Sequence, residues 1–323
     1  MLYPLTFQPI FKARVWGGRR LAELYGKPLP PGSPTGESWE ITDRPGDVSV
    51  IANGPLAGKD LRWLMENHAR ELLGDAPSLN GCFPLLVKIL DAQQTLSLQV
   101  HPPADKAAQL GGEPKTELWH VTAAAPEAEL FVGLKRGVSR ADFERRIREG
   151  TVAGCFHRIP VRAGDSMFLP SGRVHALGAG IVLFEIQQNS DTTYRVFDWN
   201  RAGLDGKRRE LHVAQSLASI DFGDFEPELV PQTSRQEQGC ELQPLVNDPL
   251  FAVDAVELKA GQGVSWQTPR CLILGGVEGR LAVSGGGEVL ALGAGQFSLV
   301  PACVGGVEMQ AKSPSRFLKI VPG

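Results

Sequence analysis

Ser97, Gln99 and His101 alternate with Leu96, Leu98 and Val100 in LSLQVH, and a period of two puts the three polar side chains on one strand face and the aliphatic ones behind them. Such a polar face either meets water or turns into a cavity, and in a cavity it makes a site. Two further stretches carry matching chemistry: KTELWH, with Lys115 and Glu117 returning on a strand expected to pair with the first, and GDSMFLPSGRVHAL, which ends near His175. Two imidazoles and a carboxylate, from His101, His175 and Glu117, are donor types that hold zinc or another divalent cation and leave a position open for water or substrate. Gln99 points the same way as His101 and can add an amide oxygen. Taken singly, each histidine reads as a structural or surface residue. The turn chemistry of 164–175 weighs against that reading, because Gly164, Pro170 and Gly172 stand where tight turns would deliver His175 to the start of a strand.

The elements that must position these residues are short strands. With 37 glycines and 24 prolines punctuating short Val/Ile/Leu/Phe runs, the chain has the rhythm of a β-sandwich or barrel. Helices are expected over 59–74, with Gly74 as its C-terminal stop, over 139–150, between Ser139 as N-cap and Gly150, and over 208–220. The polar segment 224–247 carries three prolines and reads as a linker, which divides the chain into a larger domain, 1–235, and a smaller all-β domain, 236–323, of about eight strands.

Composition narrows the partner. The 323 residues hold 33 basic and 36 acidic side chains with no basic run, which leaves no electrostatic footprint for nucleic acid or an anionic membrane and points to a small molecule. Five scattered cysteines without a C-x-x-C pair suit neither a disulfide framework nor a thiolate zinc cluster, and they read as reduced thiols in the cytoplasm. The first residues lack the apolar core of a signal peptide, and no run approaches the roughly 18 apolar residues of a membrane span.

The skeleton from Gly164 to His175 resembles the second motif of the cupin superfamily, jelly-roll barrels with a metal in the mouth, and 99–117 fits its first motif. FPLLVKILDAQQTLSLQVHP, KTELWH, LPSGRVHAL and EIQQNSDTTYRVFDWNR, with WGG and GESWEI before them, further resemble the ordered motifs of the mannose-6-phosphate isomerase family in its short bacterial form. That resemblance implies a mainly β fold of two tandem cupin-type double-stranded β-helix (jelly-roll) barrels with a few short helices. It also implies one zinc ion per chain on Gln99, His101, Glu117 and His175. The reaction implied is the interconversion of mannose 6-phosphate and fructose 6-phosphate through a cis-enediol. By position, Arg195, Glu185 and Lys115 would be catalytic, and Trp16, Lys88 and Ser97 would bind substrate.

Within that scheme Arg195 and Lys115 stabilise the enediolate. Glu185, on the apolar strand IVLFEIQ, is the first candidate to transfer the proton, ahead of His101 or a metal-bound water, and Lys88 and Ser97 are candidates for the phosphate. Pro114 and His120 depart from the commoner family pattern and are expected to reshape the pocket rim. GQFSLVPA repeats the spacing of 164–170 with no histidine after it, and 248–323 contain none, so the second barrel is expected to be metal-free. The partner is a sugar phosphate, with no nucleic acid or membrane, and the chain is expected to be a monomer or weak homodimer. The alternatives are a cupin oxygenase on a two-histidine, one-carboxylate iron site and a non-enzymatic sugar-binding cupin.

Overall fold

In the computed structural model, which describes residues 2–267 and 269–323, the fold is mainly β. The first half forms two large antiparallel sheets, beside a two-stranded hairpin of Asp43–Arg44 and Asp47–Val48. One has six strands in the order Ile10–Gly18, Thr35–Ile41, Leu85–Ala92, Ile181–Gln188, Glu117–Ala124 and Ser166–Leu169. The other has five, in the order Tyr194–Phe197, Leu98–Val100, His175–Leu177, Glu129–Leu134 and Phe156–Pro160. Residues after 234 form a second pair, a six-stranded sheet from Arg235–Glu237 to Phe297–Val300 and a four-stranded sheet of Gly263–Gln267, Gly306–Ala311, Arg280–Gly285 and Glu288–Gly293.

Alternation along each strand divides the apolar residues into separate cores. Val182, Phe184 and Ile186 face out of the first barrel and meet Phe251, Ile273, Phe297 and Leu318 of the second in one continuous seam. Leu183 and Ile181, on the same strand, face into the first barrel with Leu90, Trp119 and Val121. Leu98 and Val100 face outward, where Phe143 and Leu217 of two helices cover them. Leu96 does not join them. Regular strand begins only at Leu98, so Leu96 lies among the interior residues.

Two helices form where capping chemistry placed them. Leu61–Leu73 starts on Asp60, whose carboxylate accepts from the Trp63 amide, and stops at Gly74 with φ of 63°. Arg140–Glu149 starts on Ser139 and ends at Gly150 in the left-handed region. The third expected helix is reduced to Val213–Ser219, because Arg209 and His212 are engaged by Asp198 and Arg195 instead. The expected linker also shrinks. Cys240–Asp248 is a strand despite its polar residues, with a register shift after Pro244, where a proline is tolerated. Among the described residues, ten strands rather than about eight build the C-terminal part. No helix among the described residues is long and apolar enough to cross a membrane.

Candidate active site and metal group

Cross-strand register builds the site. On the five-stranded sheet Gln99 stands directly opposite His175 on one side and Arg195 on the other, a row of imidazole, amide and guanidinium. On the six-stranded sheet Trp39, Lys88, Glu185 and Trp119 stand in register across four strands. The Glu117 strand thus belongs to the second row's sheet and is not paired with the Gln99 strand. The two sets of ligands meet across the barrel rather than side by side, since the loop from His101 to Glu117, which includes a helical turn at Ala104–Ala107, crosses from one sheet to the other.

His101, Glu117 and His175 are at most 1% exposed, and one ligand atom from each falls within 4.8 Å of the others. His101 Nε2 lies 3.2 Å from Glu117 Oε1, and His175 Nε2 lies 3.7 Å from Oε2. These separations bracket the roughly 3.3 Å between two ligands on a tetrahedral ion with bonds of about 2.0–2.1 Å. The tautomers are fixed from behind: His101 Nδ1–H donates to the Thr192 carbonyl at 2.7 Å and His175 Nδ1–H to the Arg173 carbonyl at 2.9 Å. Both Nε2 lone pairs therefore point inward, the arrangement of metal-ligating histidines. Neither Glu117 oxygen makes a well-aligned hydrogen bond, although both are buried. A bound cation would satisfy all of these atoms.

Charge and burial reinforce this arrangement. Burial pushes the Glu117 carboxyl up, but Lys115 and His101 outweigh it and hold it well below the usual carboxylate range. Burial, with Lys115 beside it, brings His101 down to about 4, and His175 is lowered chiefly by burial, so both imidazoles are neutral ligands near pH 7. Lys115 Nζ lies 2.5 Å from Glu117 Oε1; burial acts to lower its pKa, but Glu117 and Glu185 carry it above the ordinary lysine range. Gln99 Nε2 lies 3.2 Å from His175 Nε2, and Ser97 Oγ donates to Gln99 Oε1 at 3.4 Å. A half-turn of that amide presents its oxygen to the metal group.

Beside the metal group opens a cavity of about 450 Å³, large enough for a small ligand. Trp16, Lys88, Ser97, Gln99, Lys115, Glu185 and Arg195 all line it. Trp16 is only 3% exposed, so it belongs to the barrel core as well as to the cavity wall. Glu185 differs from its expected setting. Its neighbours in register are Lys88 and Trp119, and its carboxylate accepts from Trp119 Nε1 at 2.9 Å and pairs with Lys88 at 3.2 Å. Lys88 also lies over the Trp39 ring at 5.0 Å. Arg195 Nε is buried without a hydrogen bond, and burial followed by Arg209 lowers its pKa. His120 does not reach the cavity. It is on the outer face of its strand, toward the seam, with Nδ1 against Ser166 Oγ at 2.9 Å.

Sequence reasoning missed several lining residues. Arg14 and Glu37 form an ion pair at 2.7 Å in the cavity wall. Burial would raise the Glu37 carboxyl, but Arg14 and Lys88 bring it down to about 2. Glu37 lies in the quoted GESWEI motif, two residues from Trp39, and a period of two could have found it. Asp191, Asp205 and Arg209 come from loops, where no periodicity marks a direction.

Among the described residues this is the one group of histidine, cysteine and acidic side chains with metal-holding spacing. A family model of the type I phosphomannose isomerase catalytic domain matches residues 5–128. The mannose-6-phosphate isomerase of Streptococcus mutans is 38% identical over 302 residues, covering 93% of each chain. The mannose-6-phosphate isomerase ManA of Bacillus subtilis is 36% identical over 313 residues, covering 95% of this chain and 96% of its own. A crystal structure of a Bacillus subtilis mannose 6-phosphate isomerase superposes with a TM-score of 0.89 at 30% identity, over 99% of both chains.

Proposed function

Because the chain belongs to the mannose-6-phosphate isomerase family and is an aldose–ketose isomerase of that kind, we propose that the reaction takes place in the cavity beside Gln99, His101, Glu117 and His175, with zinc as the metal. The observation that carries this reading is the convergence of two neutral, backbone-pinned imidazoles on a buried carboxylate that makes no well-aligned hydrogen bond. When bound, the metal supplies Lewis acidity for the negative charge that develops on the two neighbouring sugar oxygens.

The chain's own residues do the rest. Lys115, beside the metal group, is the donor for the cis-enediolate, and Arg195, expected to share that role, serves the phosphate instead because its Nε–H is unpaired. Glu185 carries the proton between C2 and C1: Trp119 and Lys88 fix its orientation, which keeps the carboxylate at a set place in the cavity wall. Trp16 and the ring of Trp119 exclude water from one side. For the phosphate, Lys88 is already matched by Glu185 and Ser97 by Gln99, whereas Arg195 retains an unpaired Nε–H. The phosphate therefore lies toward Arg195.

A coupled assay for fructose 6-phosphate formation from mannose 6-phosphate tests this, run on chelated protein and again after zinc is restored. Turnover should vanish and return. Glu117→Ala and His175→Ala should retain the fold and lose bound zinc; full occupancy in both variants would overturn the ligand assignment.

A further inference from the structure

Between Arg195 and His212 the chain makes a long excursion whose two ends are joined again, with the His212 amide donating to the Arg195 carbonyl at 2.8 Å. The excursion is folded back by Asp198. That carboxylate is 5% exposed and accepts from Arg209 Nε at 2.7 Å and Nη2 at 2.6 Å, and from Arg201 Nε at 3.0 Å. Two more bonds tie the base of the segment to the residues just before the ligand strand: Arg201 Nη1 to the Thr95 carbonyl at 2.6 Å and Trp199 Nε1 to the Leu96 carbonyl at 2.7 Å. Trp199 and Asn200 both adopt φ of 55°, a conformation rarely held by two successive non-glycine residues without outside restraint. The result is a strap whose tip, Gly203 to Asp205, and whose Arg209 form part of the cavity wall.

Asp198 engages one edge of the Arg209 guanidinium and leaves Nη1 without a hydrogen bond among the described residues. Arg209 is close enough to Arg195 to depress it, and Arg195 Nε lacks a partner. The acids at this end are Asp191 and Asp205, and Asp205 already accepts from the Lys207 amide at 3.0 Å. Two neighbouring guanidiniums with unspent donors, one held by a buried carboxylate, make a rigid receptor for a tetrahedral dianion.

We propose that Arg209 contacts the phosphate of the substrate together with Arg195, and that Asp198 is a positioning residue that clips the strap and presents Arg209 to the cavity. This rests on reading the cavity as a sugar-phosphate site. The strap then sets the preference for phosphorylated over free sugar.

The test titrates inorganic phosphate calorimetrically into zinc-loaded wild type, Arg209→Leu, Arg209→Lys and Asp198→Asn, and measures kcat and KM on mannose 6-phosphate for each. A lost charge-assisted contact corresponds to roughly tenfold or more in affinity. Arg209→Leu should weaken phosphate binding and raise KM by that common factor with kcat within about threefold. Asp198→Asn should follow in the same direction, and Arg209→Lys should recover part of the loss. Arg209→Lys keeps a cation beside Asp198, so its intermediate phosphate affinity keeps the test valid even if Arg209→Leu or Asp198→Asn unfolds. Unchanged phosphate affinity in Arg209→Leu, or a fall in kcat at constant KM, would overturn the inference. If wild type binds phosphate through Arg209 yet fails to isomerise mannose 6-phosphate, the anion site stands and the reading of the reaction fails.

Discussion

Replacing His120 with phenylalanine should flatten the loss of stability that the protein suffers on mild acidification. His120 is 2% exposed, its Nδ1 is matched by Ser166, and its Nε2 has no partner. Burial, helped by Arg316 of the second barrel, takes its pKa from 6.5 to about 4. The folded imidazole is therefore neutral while the unfolded one takes up a proton below pH 6.5. Stability from this residue is complete above that pH and falls as pH drops toward 4, by about 1.4 kcal/mol per unit in between. At pH 5 the loss relative to pH 7 is about 2 kcal/mol. Urea unfolding of zinc-loaded protein at both pH values, followed by tryptophan fluorescence, measures it as the difference between wild type and variant. His101 and His175 are common to both proteins, so whatever they contribute cancels in the difference. A variant whose urea midpoint falls as steeply as wild type between pH 7 and pH 5 would refute the reasoning.

Glu185→Gln should cut kcat by a factor of about 10² to 10⁴ while substrate still binds, read from loss of solvent deuterium incorporation at C2 with near-normal competitive inhibition by a non-isomerisable sugar phosphate. Asp43, fully buried, accepts from Arg62 Nε and the Phe83 amide, both at 2.8 Å; Asp43→Ala strands the Phe83 amide and removes the Arg62 ion pair, and should destabilise by about 2–3 kcal/mol in thermal unfolding, with unchanged metal content. In Gly36→Ala the new Cβ would come 2.5 Å from Arg14 Cβ and 2.7 Å from the Trp16 ring, displacing the cavity wall, so kcat/KM should fall about tenfold or more while zinc stays bound. Equal kcat/KM in that variant would show that Arg14 and Trp16 yield without consequence.

What the sequence disclosed, and what it withheld, follows the range over which each effect acts. Alternation from Leu98 to Val100 and the turn residues before His175 are local, and they were enough to aim Gln99, His101 and His175 inward. Partnership between strands is not local. Nothing in KTELWH says that it joins the sheet of Ile181–Gln188 rather than that of Leu98–Val100, which is why Glu117 comes from the opposite wall. The same limit misjudged Glu185: its chain neighbours are apolar, but its lateral neighbours are Lys88 and Trp119. His120 was assigned to the wrong face for want of counting from Glu117, three residues earlier and on the opposite side of the pleat. Helical propensity over 208–212 lost to ion pairing with Asp198.

The strand Ile181–Gln188 has no surface to spare. Glu185 faces the cavity while its immediate neighbours Phe184 and Ile186 face the seam, where Phe184 meets Phe297 with ring centroids 4.9 Å apart. The second barrel is thus the rear wall of the cavity: a pressure applied at Phe297 is one side chain away from the backbone that holds Glu185. A chain relieved of that barrel would bare one whole side of its working sheet to water, and every second residue there would need rewriting before the first barrel could stand alone.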